Sequence, residues 1–262
     1  MKKVILISVV VALAACSTVM ITGRKQLNLV PDSEILSASA AAYSDFIKTA
    51  PISKNAQNTA MVKNVGNAIS AAVEKHMREN GMSADIKNYS WEYNLVQSDE
   101  VNAFCMPGGK IVVYEGILPL TKDEAGLAVV IGHEVAHAVA KHSNERMSQQ
   151  IAVELAGAGT DILLSQKSAA TRNAIGTLYG IGSQVGVLLP YSRQHELEAD
   201  RLGTIFMAMA GYDPNQALSF WQRMSSLSSG GSIEFLSTHP SDKTRITKLQ
   251  EVIPEAMKYY KK

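Results

Sequence analysis

The chain has 262 residues, of which 46% are hydrophobic and 19% are charged. This composition is typical of a globular protein and excludes a largely disordered one. Lysine and arginine together number 25, against 24 aspartates and glutamates. Because the net charge is close to zero and no basic cluster is interleaved with aromatic residues, nucleic acid is not predicted as a partner.

The first fifteen residues have the pattern of a secretory signal peptide. Two lysines precede an apolar run over residues 4–15, which is too short to cross a bilayer as a helix. Small residues then precede Cys16, as in the lipobox of bacterial lipoproteins, where the cysteine is acylated. We predict a removed signal peptide over 1–15, lipidation at Cys16 and a tether over 16–31. An uncleaved N-terminal anchor is the alternative, and either interpretation puts the chain at a membrane.

The next elements in chain order are two scaffold helices and a small sheet. Apolar residues recur at spacings of three and four in the second helix. The turn Pro107-Gly108-Gly109 separates two short strand-like runs and predicts a hairpin. The predicted elements are helices over 32–50 and 55–80 and strands over 90–96, 103–106 and 110–115. Cys105 lies in an apolar strand and is predicted to be a buried structural residue instead of a thiol nucleophile.

The second half of the chain is predicted to be helical. One long helix over 123–145 begins at Thr121 or Asp123, either of which is a suitable N-cap. A stretch over 151–189 rich in Ala, Gly and Ser is predicted to be a helical insertion. Further helices are predicted over 193–210, 214–227 and 242–257.

The long helix carries the sequence Gly132-His133-Glu134-Val135-Ala136-His137, which contains the pattern H-E-x-x-H. Two histidines four residues apart on a helix differ by about 40° in direction and about 6 Å in height, so both rings can bind one metal ion. Glu134, next to the first histidine, is then placed to act on a water molecule. His142, near the end of this helix, is predicted to be a surface or capping residue.

A catalytic zinc ion needs a third protein ligand. Downstream, Glu196 and Asp200 lie four residues apart at a predicted helix start and share one face, which suits one carboxylate on the metal and one behind a ligand histidine. Glu198 faces another direction. The alternative is a solvated acidic helix start that is stabilised by the helix dipole.

These motifs resemble those of the zinc metallopeptidases that include the CAAX prenyl protease and the HtpX heat-shock protease. The likeness is greatest to small bacterial members of lipoprotein type. Segments with the same order and spacing cover roughly residues 90–250. They are Asn102-Ala103-Phe104 with Pro107-Gly108-Gly109, the segment 132–137, Tyr191-Ser192-Arg193 leading into 196–200, and Thr238-His239-Pro240. The segment Thr22-Gly23-Arg24-Lys25-Gln26-Leu27-Asn28-Leu29 is also similar to the one that follows the lipid anchor in such proteins.

The resemblance implies an α+β, zincin-like fold over 32–262, mostly helical, with a small sheet beside the H-E-x-x-H helix. It implies one Zn²⁺ per chain, bound by His133, His137 and Glu196, with Glu134 as the general base and Asp200 orienting a ligand.

The resemblance also implies roles for two segments outside the metal-binding helices. Residues Asn102, Ala103 and Phe104 would form an edge strand on which an extended peptide substrate lies antiparallel. His239 could be a fourth metal ligand in a resting state or an oxyanion donor, and the alternative is a capped turn before the last helix.

The sequence thus predicts a lipid-anchored, zinc-dependent endopeptidase. It would face the periplasm in a bacterial cell envelope and cleave misfolded or misassembled envelope proteins. One alternative is a zinc-containing chaperone or assembly factor with an occluded site. The other is a processing peptidase of narrow specificity. The sequence makes no prediction of oligomeric state.

Overall fold

The computed structural model describes residues 16–157, 192–227, 234–239 and 243–261. The predicted signal peptide and most of the predicted insertion lie outside these residues. The strands are β1 (Cys16–Thr18), β2 (Lys25–Leu27), β3 (Glu92–Val96), β4 (Ala103–Met106) and β5 (Lys110–Tyr114). The helices are α1 (Asp32–Thr49), α2 (Ala56–Glu79), α3 (Ser83–Ile86), α4 (Leu118–Thr121), α5 (Glu124–Val139), α6 (His142–Gly157), α7 (Arg193–Met209), α8 (Gln216–Leu227), α9 (Glu234–Thr238) and α10 (Lys243–Ala256).

A three-stranded sheet has the strand order β3-β5-β4. Strand β5 pairs parallel to β3 and antiparallel to β4. The predicted hairpin joins β4 to β5, and its two glycines take positive φ angles of 91° at Gly108 and 82° at Gly109, which suits residues without a Cβ. Strand β4 therefore lies at an edge of this sheet, and Cys105 within it is a buried, free cysteine, as predicted.

The helix predicted over 123–145 is two helices. Asp123 caps α5 by accepting a hydrogen bond from the backbone N–H of Gly126 at 2.8 Å. The helix ends after Val139, and Lys141 takes a φ of 55°, which a continuous α-helix does not allow. The chain therefore turns before α6. The sequence did not signal this break, because residues 140–145 contain neither glycine nor proline.

Helices α5 and α7 cross at two glycines. A Cβ atom added to Gly203 would lie 2.7 Å from the backbone N of His133, and one added to Gly132 would lie 2.7 Å from the carbonyl oxygen of Gly203. These distances are shorter than van der Waals contact, so the two backbones meet at a place where any side chain would separate them. The contact brings together the faces of α5 and α7 that carry the predicted metal ligands.

The segment predicted as a tether is folded onto the rest of the protein. Strands β1 and β2 form an antiparallel hairpin, and Val30 beyond it is 2% exposed. The backbone N–H of Leu29 donates to Ser148 on α6 at 2.8 Å, and Asn144 donates to the carbonyl of Val30 at 3.1 Å. These contacts fix the N-terminal segment against α6.

The predicted zincin-like fold, mostly helical with a small sheet, is confirmed. None of the helices in the described ranges is both long enough and apolar enough to cross a membrane.

Candidate active site

Four buried side chains converge between α5 and α7. His133 and His137 come from α5, Glu196 comes from the first turn of α7, and His239 follows α9. Each residue is at most 2% exposed. One potential ligand atom from each of the four lies within 4.8 Å of those from the other three. The three predicted zinc ligands are therefore next to one another, and His239 lies with them.

The distances between these atoms fit a tetrahedral metal site. His133 Nε2 lies 3.0 Å from His137 Nε2, and Glu196 oxygens lie 3.4 Å from each of these nitrogens. His239 Nδ1 lies 3.2 Å from His133 Nε2 and 3.0 Å from Glu196 Oε1. Ligands at zinc distances in a tetrahedron are separated by about 3.3 Å. The observed spacing is close to this value, so the four residues fit a zinc ion.

Two side chains of the cluster take the charge state that binds a metal cation, whereas a third must lose a proton first. Burial disfavours the charged ring of His133, but hydrogen bonds to Asp200 and Glu196 outweigh it and raise the pKa to about 9, so a metal ion would displace that proton. Burial lowers the pKa of His137 well below its usual value, which leaves a neutral ring with a lone pair to offer. Burial works against the ionised form of Glu196, but His239 and Arg245 hold its pKa well below the usual range. The carboxylate and the neutral imidazole are the forms that bind metal.

Glu134 lies beside the cluster, in contact with the sheet. Its Oε2 accepts a hydrogen bond from the backbone N–H of Cys105 at 3.1 Å, and its Oε1 lies 3.4 Å from His239 Nε2. Burial raises the pKa of Glu134 above its ordinary value. A raised pKa brings a carboxylate closer to neutrality, which suits a group that both takes and returns a proton.

Asp200 lies behind His133, on the side away from the cluster. Its Oδ1 is 3.0 Å from His133 Nδ1. Arg245 of α10 holds both oxygens of Asp200 at 2.7 Å and also lies 2.8 Å from Glu196. Sequence reasoning missed Arg245, because a single arginine in an amphipathic helix carries no signal of burial, yet this residue is only 1% exposed.

The prediction that His142 is a surface residue is wrong. It is completely buried because the chain reverses at Lys141, and its Nδ1 lies 2.9 Å from His137 Nδ1. Its Nε2 lies 3.0 Å from Glu198 Oε2. Burial lowers the pKa of His142 to about 4, so the ring is neutral near pH 7. Glu198 does face away from the cluster, but toward His142 and not toward solvent.

The predicted substrate-binding residues lie on strand β4 and just before it. Asn102 uses its side-chain oxygen to accept from the N–H of Ala103 at 2.9 Å. Phe104 packs its ring against Phe46 of α1, with centroids 5.5 Å apart, on the face of the sheet opposite to Ala103. The outer N–H groups of this edge, on Ala103 and Cys105, thus bond within the protein in this structure.

Comparisons with known proteins agree with this geometry. Residues 66–253 match peptidase family M48. The chain is 41% identical over 190 residues to mitochondrial metalloendopeptidase OMA1 of Schizosaccharomyces pombe, which covers 72% of this chain and 53% of that protein. It is 30% identical over 247 residues to the human metalloendopeptidase OMA1, covering 91% and 46%. It is 31% identical over 164 residues to the beta-barrel assembly-enhancing protease of Yersinia pestis, covering 60% and 33%.

The comparisons correct one prediction and confirm another. Four relatives that are 33–41% identical to the chain are mitochondrial proteins by name, from two yeasts, a plant and cattle. The predicted location in a bacterial cell envelope, facing the periplasm, is therefore wrong. The chain spans about half or less of the length of the relatives it matches. The predicted family resemblance is confirmed by a match that includes both α5 and α7, and the chain belongs to peptidase family M48.

Proposed function

We propose that this protein is a zinc-dependent endopeptidase. The observation that carries the proposal is the buried cluster of donor atoms from His133, His137, Glu196 and His239, with Glu134 beside it. Two or three imidazoles with one carboxylate are a donor set that suits zinc. Relatives named as metalloendopeptidases support the same assignment.

The chain's own residues account for the proton transfers that peptide hydrolysis needs. When bound, zinc supplies a Lewis acid that polarises the scissile carbonyl and acidifies a water molecule. Glu134 takes the proton of the attacking water and then gives it to the leaving amine. Its raised pKa suits both steps. Asp200 keeps His133 oriented, and Arg245 neutralises the charge of that buried aspartate.

We infer that the substrates are unfolded or flexible polypeptide segments. The N–H groups of β4 that do not pair with β5 point toward α5, so an extended chain that pairs with this edge would run past Glu134. Main-chain pairing gives affinity with little dependence on sequence. Such a substrate must first replace the hydrogen bonds that Asn102 and Glu134 now make to this edge.

A second candidate function is a chaperone or assembly factor with an occluded zinc site. The observation that favours it is His239, which occupies the fourth position that a catalytic zinc keeps open. The backbone N–H of Phe235 donates to the carbonyl of Val101 at 3.1 Å, which ties the α9 segment to the start of β4. Cleavage would therefore require His239 to leave.

Casein digestion by the purified chain and by Glu134→Gln distinguishes these functions. The substitution keeps the size of the side chain but removes the base, so we expect cleavage to fall by at least about 100-fold while zinc content stays equal. Equal cleavage by both proteins would refute the proposed mechanism. If neither cleaves although both hold one zinc, the occluded chaperone is favoured.

His239→Ala then tests whether His239 limits the rate. In an endopeptidase that rests in a closed state, removal of the ring opens the fourth position, and we expect faster casein cleavage with one zinc still bound. The double substitution with Glu134→Gln is the control and should be inactive. Slower cleavage by His239→Ala would instead assign His239 a direct role, such as an oxyanion donor.

Attachment to a membrane through Cys16 remains a separate proposal. It rests on the sequence of small residues before Cys16 and the apolar run that precedes them. Mass spectrometry of the mature chain would detect both the cleavage before Cys16 and an added lipid. Cys16→Ser should abolish both the mass increase and partition into a detergent phase, and an unmodified full-length chain would contradict the proposal.

A further inference from the structure

The second metal-ligating histidine has a support that sequence reasoning did not find. His137 Nε2 faces the donor cluster, and its Nδ1 faces His142 Nδ1 at 2.9 Å. His142 Nε2 in turn contacts a carboxylate oxygen of Glu198 at 3.0 Å. All three side chains are buried, so no bulk water competes for these contacts.

Elementary chemistry decides which atom donates and which accepts in each of these two contacts. The carboxylate of Glu198 can only accept, so the proton of neutral His142 is on Nε2 and its Nδ1 is an acceptor. A hydrogen bond between the two Nδ1 atoms then requires the proton to be on Nδ1 of His137. The Nε2 lone pair of His137 is thereby left for the metal. Glu198 thus selects, through His142, the tautomer of His137 that can bind.

The N-terminal segment holds Glu198, the last residue in this series of contacts. Arg24, between β1 and β2, donates from Nε to Glu198 at 2.7 Å, and Thr22 also donates to Glu198. The two terminal nitrogens of Arg24 bind Glu145 of α6 at 2.8 and 2.6 Å. Glu145 also bonds to His195, whose ring stacks on that of His142 with centroids 4.5 Å apart.

We propose that His142 and Glu198 are positioning residues for the metal site, and that Arg24 completes their support. This inference rests on the proposed zinc site but not on proteolysis. Arg24 lies outside residues 66–253, the segment matched to the peptidase family, and the proposal is that it nevertheless contributes to metal affinity. Arg24 is 174 residues away from Glu198 in the chain and has no contact with the donor cluster itself.

Zinc affinity, measured by competition with a chromogenic chelator, tests the proposal without an activity assay. Loss of a hydrogen-bond partner behind a ligand weakens metal binding by about 10- to 100-fold, which we expect for His142→Leu. His142→Asn provides the conservative comparison, because its Oδ1 can accept where Nδ1 did, and it should restore most of the affinity. Arg24→Gln should weaken binding several-fold, because Thr22 still holds Glu198.

Arg201→Gln is the matched control for Arg24→Gln. Arg201 lies on the same helix as Glu198 and makes a similar two-pronged ion pair, at 2.9 Å for each contact, with Glu255 of α10. Arg201 feels the charge of Glu198, but its pair with Glu255 has no hydrogen bond to Glu198, His142 or the donor cluster, so its loss should leave zinc affinity within about twofold of the original. Equal weakening by both arginine substitutions would show only general destabilisation and would overturn the proposal.

The tautomer of His137 gives a second readout that a merely structural role would not change. Long-range ¹H–¹⁵N spectra of the histidine-labelled, zinc-loaded chain should show the proton of His137 on Nδ1, hydrogen-bonded in the original chain and in His142→Asn. Unchanged zinc affinity and spectra in His142→Leu would refute this inference. If the original chain binds no zinc, the proposed function itself fails.

Discussion

The two histidines of the H-E-x-x-H motif are supported in different ways. Behind His133 there is one carboxylate, Asp200, held directly by Arg245, and both residues are almost completely buried. Behind His137 there is a longer chain of contacts, through His142 and Glu198 to Arg24, whose side chain is 16% exposed. The first support is short and internal, whereas the second reaches the surface.

His133 is therefore held by residues of the family-matched segment alone, whereas His137 also depends on the N-terminal hairpin. Asp200 and Arg245 both lie within the segment that matches the peptidase family. Arg24 lies outside it. Disturbing the first support should therefore disrupt folding itself, whereas disturbing the second should weaken the site while the fold survives.

Asp200→Ala should have the largest effect. It leaves Arg245 buried with one fewer carboxylate and removes the partner of His133 Nδ1. Removing one member of a buried ion pair costs about 3–5 kcal/mol. Urea unfolding of the metal-free protein should show this loss, and a loss below about 1 kcal/mol would show that the internal support is not structural.

Gly203→Ala should affect both supports at once. The new Cβ would lie 2.7 Å from the backbone N of His133, so α5 and α7 must separate. Overpacking of this kind costs about 1–3 kcal/mol. Because both ligand-bearing helices move, we also expect weaker zinc binding, measured by chelator competition. Unchanged stability and affinity would contradict the backbone contact at this crossing.

Arg24→Gln should reduce stability by about 1–2 kcal/mol at pH 7, since the hydrogen bonds that it removes are charge-assisted but partly exposed. The loss should depend on pH. Burial raises the pKa of Glu145, but hydrogen bonds from His195 and Arg24 outweigh it and lower the pKa from 4.5 to about 2.

A lowered carboxylate pKa gives stability that is complete above about pH 4.5 and is lost as the pH falls toward 2. The difference in unfolding free energy between Arg24→Gln and the original chain should therefore shrink over this range. Urea unfolding at pH 6, 4 and 3 measures it. A difference that is constant with pH would show that Arg24 stabilises the protein only through packing of its aliphatic part.

Glu255→Gln should have the smallest effect. It breaks the pair with Arg201, in which both side chains are about one-third exposed. Exposed ion pairs contribute at most about 1 kcal/mol, and we expect less than about 0.5 kcal/mol here. Thermal unfolding would detect the change. A loss of stability as large as that of Arg24→Gln would show that the contacts of Arg24 do not differ from an ordinary ion pair on α7.

The sequence predicted the parts of the site that lie in short, chemically distinctive patterns. The helical spacing of His133 and His137 and that of Glu196 and Asp200 follow from local geometry, and the structure places all four residues together. The bounds of α1, α2 and α7 were also predictable within about two residues from capping and periodicity.

Asp200 was predictable as a residue that orients a ligand, but the other members of the two supports were not, because their contacts depend on long-range packing. His142 and Arg245 are single polar residues in their helices, and only the reversal at Lys141 and the docking of α10 bury them. Arg24 lies in a segment that resembles the family, but nothing in that segment predicts its contact with Glu198. The folded N-terminal hairpin was missed for a similar reason. Its strands have only three residues each, which is too short for a periodic signal.

The two supports use residues that are far apart in the chain, and this matters during biosynthesis. Among the described residues, Arg24 lies before every helix and Arg245 lies in the last one. A growing polypeptide that already carries Glu134 and both histidines still lacks one of its two supports until residue 245 has left the ribosome. Full metal affinity should therefore arise only when translation is almost complete, so that the proposed peptidase could not act on the nascent chain or its neighbours before then.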